Sequence, residues 1–463
     1  DRSMNPLYGS DYTNRVVMSL MYQGLFAVDS KNNTTPILCS QYQVTPDNRT
    51  WTIYLEPNAT FSDGTRVTVQ DVVASYEQAR QNVYYKGRFT HIARVELSSD
   101  GGVDFFLDTP YQNLALLLDI PIVKASEVTV DNPLGTGPYS LEDGIGGKHL
   151  QRVVGWWCSS DDLVAKDSSI ALVEAESPSQ IRDEFEFSGL SVVCTNPQTD
   201  SYADYRCDFE LWEVDSGFMM YIGCNVTYSK FFDDGTLRTF LTYGIDRQTL
   251  VDDNYGGLAL PTTLPISPMS PYYSKSLATN YDYDEMRFID AASKFRVPTN
   301  DKGVPRTLQL VNSDDSARLR CARNIAATLT ELGLACETVE SPTSVYEARL
   351  QAANYDIYLG ITKLPTTADL SEFYRPWGEM SWGGLANETI YNMVNQSLAD
   401  RGNYYNLHKL VADDGRIIPV MAGYYAIYAK RGVLSDLNPA RDNVFYYTLG
   451  KTMESSKVAT QFS

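Results

Sequence analysis

The sequence is short of four things, and each shortage removes a class of function. Histidine occurs three times in 463 residues, as His91, His149 and His408. These stand far apart and in no H-E-x-x-H context, so no metal site is expected. No G-x-S-x-G is present either, which removes the nucleophile-elbow hydrolases. Each histidine is expected to be an ordinary surface or hydrogen-bonded one. Lysine and arginine total 38 against 58 carboxylates, for a formal net charge of −20. Phosphate binding needs clustered cations, so nucleic acid is not an expected partner, and an anionic membrane surface would not attract the chain. No run of about 18 apolar residues exists, so no segment is suited to span a bilayer as a helix. The longest apolar stretch, Ile417 to Ala429, is broken by Pro419 and Gly423. Finally, the seven cysteines show no C-x-x-C spacing, which argues against a zinc or redox centre. Most are expected to be free buried thiols. Cys194 and Cys207 flank a short polar segment and are the best disulfide candidates.

What is present is an ordinary globular composition, 43% hydrophobic and 21% charged. The length predicts two or three domains. Carboxylates are plentiful, but no pair stands out as an acid/base couple of the glycosidase kind. The 32 tyrosines and six tryptophans are expected mainly in cores and on strand faces, with a minority free to line a ligand cleft.

The most informative stretch runs from Gln41 to Tyr76. Tyr42 and Val44 alternate with polar neighbours, Pro46-Asp47-Asn48 is turn chemistry, and Trp51, Ile53 and Leu55 alternate again. That predicts a strand, a turn and a returning strand with one apolar face. Phe61-Ser62-Asp63-Gly64-Thr65 is a second tight turn. Thr68 then stands three residues before Asp71, a capping box for a helix carrying Val72, Val73, Tyr76 and Ala79 on one face. With these residues in this order, the segment resembles the signature of family 5 of the extracellular solute-binding proteins, the peptide, dipeptide and nickel binders of ABC importers. Trp51, Tyr54, Leu55, Phe61, Asp63, Gly64, Thr65, Asp71 and Val72 fall on that signature.

Further landmarks follow the same resemblance. Asn5-Pro6-Leu7 and Tyr22-Gln23-Gly24-Leu25 stand where the family has N-P-L and Y-E-G-L. Leu134-Gly135-Thr136-Gly137-Pro138-Tyr139 matches P-x-G-T-G-P-Y. A phosphate cradle would need a Lys-Ser/Thr pair or a helix start after its glycines, and Pro138-Tyr139 offers neither. Ile170 to Val193 reads strand, helix, strand. Leu237 to Arg247 matches V-R-x-A-L-x-Y-A-I-D-R, and its Asp246 and Arg247 are expected to cap and pair locally. From Leu308 onward, strands and helices alternate. Ser313 is a candidate cap for a helix with Leu319, Ala322, Ile325, Ala326, Leu329 and Leu332 on one face, closed by Gly333. This alternation predicts a mainly parallel sheet. Ile417-Ile418-Pro419-Val420 resembles the family's P-I-I-P-L strand.

The resemblance implies an α/β fold of the two-lobed periplasmic-binding-protein kind, with mixed sheets, a hinge of two crossings and an inserted subdomain. Lobe I is expected over 1–34, 138–225 and 424–463, the insert over 35–137 and lobe II over 226–423. The crossings are expected near Asn225 and near Pro419 to Tyr424. The implied function is extracytoplasmic capture of a peptide or peptide-like solute in the cleft, without catalysis or cofactor, and delivery to an ABC permease in the membrane. A monomer is expected, with no nucleic-acid partner. The expected location is periplasmic, or the cell surface as a lipoprotein held by an N-terminal Cys that this sequence, starting at Asp1, does not include. The family's dipeptide binders grip the ligand amine with an Asp after a Gly-Trp. Here that place reads Gly360-Ile361-Thr362-Lys363, with a cation instead. Val311-Asn312-Ser313 likewise lacks the family's carboxylate-binding Arg. Lys363 therefore favours a carboxylate-bearing ligand. The candidate ligand-binding residues are Tyr22, Trp157, Lys363, Asp369, Tyr374, Trp377 and Trp382. An oligosaccharide, another small anionic or amphiphilic solute, or a sensor role on the same fold are the alternatives.

Overall fold

The computed structural model describes residues 3–8, 11–160, 163–165, 167–175, 177–187, 189–198, 205–229, 231–233, 235–295, 299, 302–304, 306–434 and 437–446. It divides into two compact units, Asp1–Val214 with Tyr425–Ser463, and Asp215–Tyr424.

Unit one opens with helix α1 (Tyr12–Met18), capped by the Asp11 side chain, which accepts from the Asn14 N–H. A four-stranded antiparallel sheet follows, made of β1 (Cys39–Val44), β2 (Thr50–Leu55), β3 (Ile92–Leu97) and β4 (Val103–Leu107), in the order β1-β2-β4-β3. The turn between β1 and β2 places Asn48 at φ 55°. On β2 the alternation behaves as expected, with Trp51 and Ile53 buried. On β1 it does not, because Tyr42 is 46% exposed, although it stacks on Trp51 at 5.2 Å and meets Phe26 edge-on at 5.8 Å. An edge strand with one neighbour cannot cover its apolar face fully. Helix α2 (Val69–Arg80) is packed between β2 and β3 in sequence and starts at the capping box read from Thr68 and Asp71. Asp71 also accepts from the Ala125 N–H at 2.8 Å, tying the helix start to a later loop. Such a cap stabilises a helix by about 1 kcal/mol. The buried face carries Val72, Ser75, Tyr76 and Ala79, with Tyr76 edge-on to Phe105 at 5.0 Å.

A second antiparallel sheet joins β5 (Tyr139–Gly144), β6 (Gly147–Arg152) and β7 (Ser169–Ala171). Helix α3 (Pro178–Phe187) and strand β8 (Val192–Thr195) complete the expected strand, helix, strand run. The long strand β9 (Phe209–Cys224) then carries the chain into unit two.

In unit two, Asp246 caps helix α4 (Arg247–Tyr255) by accepting from the Thr249 N–H and hydroxyl. Arg247 does not pair with it. It is buried and donates instead to the carbonyls of Pro419 (2.8 Å) and Thr242 and to the Thr242 hydroxyl. Burial without a contacting carboxylate lowers its pKa to about 10. The expected surface pair is therefore replaced by a buried guanidinium satisfied by carbonyls. Strand β10 (Thr307–Asn312) is followed by helix α5 (Ser316–Glu331), strand β11 (Cys336–Ser341), helix α6 (Thr343–Gln351) and strand β12 (Ile357–Lys363). β10 pairs parallel with both β11 and β12, as βαβ connection demands, while β9 pairs antiparallel with β12. The cap of α5 is Asp315 rather than Ser313, because the Ser313 N–H still belongs to the sheet and donates to Ser341. Cys321, Ala322, Ile325, Ala326 and Leu329 of α5 face the main core, and Gly333 ends the turn at φ 102°. After helix α7 (Tyr404–Asp414), strand β13 (Ile417–Lys430) runs unbroken through Pro419. Its first half pairs with Leu260-Pro261, and its second half pairs with β8 back in unit one. The two passages between units lie inside β9 and β13.

All seven cysteines are free, and the candidate pair Cys194 and Cys207 is not bridged. Cys194 sits in β8 with its thiol buried and pushed up to about 12 by that burial, whereas Cys207 is half-buried ahead of β9. Among the described residues, no helix is long and apolar enough to cross a membrane.

Candidate functional site

The glycines of Leu134 to Tyr139 are explained by backbone contact. The Gly137 N–H donates to Met21 O at 2.9 Å and the Tyr139 N–H to Leu20 O at 3.2 Å. A Cβ on Gly135 would lie 2.1 Å from Met21 O, and one on Gly137 would lie 2.5 Å from Met21 C. Only residues without side chains let the two segments lie this close. The same contact sets the position of Tyr22-Gln23-Gly24. Tyr22 is buried, with its hydroxyl 2.8 Å from the Pro133 carbonyl. The Trp157 indole N–H donates to Gln23 Oε1 and to the Thr136 carbonyl, both at 3.1 Å.

Tyr22 and Gln23 border a cavity of about 60 Å³ within unit one, and Arg15, Arg88, Asp119 and Asp442 are also among its charged or polar wall residues. Four of the six form a buried charge cluster. Arg88 reaches both Asp119 and, at 2.7 Å, Asp442. Arg15 Nε lies 3.3 Å from Asp442, and its guanidinium lies 4.2 Å over the Tyr84 ring. The Tyr84 hydroxyl donates to Asp442. Burial works against both guanidinium charges, yet the facing acidic groups hold them firmly protonated. Burial pushes the Asp119 carboxyl up to about 6, opposed by Arg88 and reinforced by Asp442.

The other five candidate residues lie in unit two and differ in role. Lys363 ends β12 and is exposed. Asp369 is buried and accepts from the N–H and hydroxyl of Ser371 at 2.9 and 2.6 Å, shaping its own turn. Tyr374 is wholly buried, and no hydrogen bond reaches its hydroxyl. Trp377 is 96% exposed and held at φ 60°, a left-handed conformation costly for a bulky residue. Its loop is pinned on both sides. Arg375 pairs with Glu372 at 2.6 Å, Glu372 accepts from the Glu379 N–H, and a Cβ on Gly378 would meet Glu372 O at 2.2 Å. Trp382 is half-buried at a turn whose Gly383 and Gly384 lie against Asn225 and Thr227. Tyr22, Asp369 and Tyr374 are thus enclosed, whereas Trp157, Lys363, Trp377 and Trp382 keep accessible surface. Gln23 was not singled out as a site residue. Its signal was the glutamine standing where the family motif has glutamate.

The histidines divide as well. His91 is buried with Nδ1 2.7 Å from Asp108. His408 is wholly buried in α7 and neither ring nitrogen has a hydrogen bond, contrary to the expectation of a satisfied or surface histidine. A groove of about 310 Å³ in unit two is bordered by Asp246, Asp253 and Glu331, of which Asp246 is already engaged in capping α4. Among the described residues, no group of three or more His, Cys, Asp or Glu is placed to hold a metal ion.

Comparison with known proteins gives a consistent picture. The model of the family described as bacterial extracellular solute-binding proteins, family 5 Middle, matches residues 33–384. The chain is 24% identical over 406 residues to the glutathione-binding protein GsiB of Escherichia coli O6:K15:H31 (strain 536 / UPEC), covering 82% of this chain and 74% of that protein. It is 25% identical over 302 residues to GsiB of Salmonella typhi, covering 60% of this chain and only 57% of that protein. Among solved structures, the ABC transporter substrate-binding protein CtaP of Listeria monocytogenes superposes with a TM-score of 0.72 at 18% identity, covering 98% of this chain and 97% of that one. That likeness establishes the two-lobed binding-protein fold.

Proposed function

Because this chain belongs to the bacterial extracellular solute-binding proteins of family 5, we propose that it captures a peptide or peptide-like solute outside the cytoplasm and hands it to an ABC permease. The observation that carries this reading is the family match together with the glutathione-binding relatives, since glutathione is itself a tripeptide. The chain works by binding, not catalysis. The domain plan that goes with the reading is a lobe I with an inserted subdomain over 35–137 and a lobe II over 226–423. Attachment as a lipoprotein through a Cys ahead of Asp1 and action as a monomer belong to the same reading.

The exposed candidates refine it. Trp377 is held out in a strained conformation by a pinned loop, and strain maintained at an exposed aromatic marks a contact residue. Lys363 supplies a cation for a ligand carboxylate. Trp157 and Trp382 offer further aromatic surface, whereas Tyr22, Asp369 and Tyr374 support the scaffold behind them.

A thermal-shift series with glutathione, di- and tripeptides and oligosaccharides tests the reading. A solute at a hundred times its Kd adds about 2.7 kcal/mol of stability. At least one peptide is expected to raise the Tm. A shift with a sugar and none with any peptide overturns it. Trp377→Gly relieves the left-handed strain and is expected to stabilise the free protein by about 1 kcal/mol. It should at the same time weaken the peptide shift. Unchanged peptide affinity in that variant removes Trp377 from the site.

A further inference from the structure

The wall of the cavity in unit one carries a buried amide donor with no oxygen or nitrogen acceptor among the described residues. Gln23 is 6% exposed and forms part of the cavity wall. An indole N–H only donates, so the amide atom facing Trp157 must be the oxygen. That contact fixes the amide orientation and leaves Nε2 as the free end. Nε2 is buried and has no oxygen or nitrogen partner. Its neighbouring acceptor is the Cys158 thiol, which a hydrogen bond from the Gln23 side chain favours in the ionised form, and sulfur is a weak acceptor. A buried amide donor without a good acceptor carries an uncompensated desolvation penalty, so an oxygen acceptor in the cavity is favoured.

The surroundings define that acceptor. Arg15 and Arg88 are balanced by Asp119 and Asp442, so the cluster presents two cations against two anions and selects by hydrogen-bond geometry more than by net charge. The Tyr446 hydroxyl, 3.9 Å from Cys158 Sγ, belongs to a residue of the same cavity wall. The volume of about 60 Å³ is several times the roughly 10–15 Å³ of space that one water needs, room for a small group such as acetate or acetamide. The family motif places a glutamate at this position, and a carboxylate there would repel an oxygen acceptor. Glutamine presents a donor instead.

We propose that this cavity receives a planar oxygen acceptor, the carboxylate or carboxamide end of a small solute, on Gln23 Nε2, with Trp157 as the residue that positions the amide. The proposal rests on the solute-binding reading for its physiological ligand, but not for its chemistry. The test follows the Gln23 side-chain NH₂ signals of ¹⁵N-labelled protein, identified by their loss in Gln23→Met. Acetate, acetamide and glutathione are titrated separately. A saturable shift of those signals is expected, and the acetate and acetamide arms report whether the charged or the neutral form is taken. Gln23→Met is expected to weaken binding of the responding probe at least tenfold at unchanged Tm. Stationary Gln23 signals with all three probes mean that the cavity holds water only, which overturns the proposal. If glutathione raises the Tm while Gln23 stays silent, the proposal fails and the solute-binding reading stands. If acetate or acetamide moves Gln23 while no peptide binds, the cavity site stands and the peptide reading falls.

Discussion

Lowering the pH should destabilise the protein through one buried ring. His408 lies in α7 beside Tyr404, ring centroids 5.8 Å apart, and Tyr404 is stacked on Tyr272 while its hydroxyl donates to the Thr367 carbonyl. Both ring nitrogens are buried and without hydrogen bonds among the described residues. Burial therefore lowers the pKa from the ordinary 6.5 to about 4. In the unfolded chain the ring takes a proton as the pH falls through 6.5, and in the folded chain it resists until about 4. The stability due to the neutral ring is thus fully present above 6.5, is lost progressively between 6.5 and 4, and is gone below. At about 1.36 kcal/mol per pH unit the whole span is worth roughly 3 kcal/mol, of which about 2.5 is lost by pH 4.5. The comparison with His408→Leu isolates this contribution, because other titrating groups act equally on both proteins. In urea unfolding, the variant should gain about 2.5 kcal/mol relative to the native protein between pH 7.5 and 4.5. With only three histidines in the chain, the Cε1–H signal of His408 is also resolvable by NMR. A midpoint near 6.5, or a stability gap that is the same at both pH values, refutes the reasoning.

Two further outcomes are expected. Asp442→Asn leaves Arg15 and Arg88, both buried, short of their shared carboxylate, and removing one partner of a buried ion pair costs about 3–5 kcal/mol. Urea unfolding of the variant should show that loss, and a cost under 1 kcal/mol would mean that the cluster is hydrated. Gly137→Ala drives a methyl to 2.5 Å from the Met21 carbonyl carbon, where both sides are backbone and neither can yield. A loss of more than about 2 kcal/mol or failure to fold is expected, whereas a wild-type Tm would show that the two segments are free to part.

Much of the fold was legible because its signals are local. The Thr68–Asp71 box, the turn at Gly64, the Gly333 stop and the alternation along Trp51 to Leu55 each involve residues within a few positions of one another. Strand-helix alternation after Leu308 likewise predicted the parallel pairing of β10 with its neighbours. Local reading failed where partners come from far along the chain. Arg247 finds the carbonyl of Pro419 rather than its neighbour Asp246, Ser313 is claimed by the sheet through Ser341, and Cys194 and Cys207 stay apart as free thiols. The same holds for the candidate site, where enclosure of Asp369 and Tyr374 depends on packing that no spacing rule reports.

By itself, the sequence determined the family, the α/β class and the binding rather than catalytic character, because motif residues, turn glycines and caps act through nearest neighbours. Only the tertiary structure decided which residues are spent on scaffold and which remain for a ligand. Arg15 and Arg88 meet Asp442 from more than three hundred residues away, and Gln23 meets Trp157 across 134 residues. Charge compensation and desolvation depend on distance in space, a quantity that order along the chain does not encode.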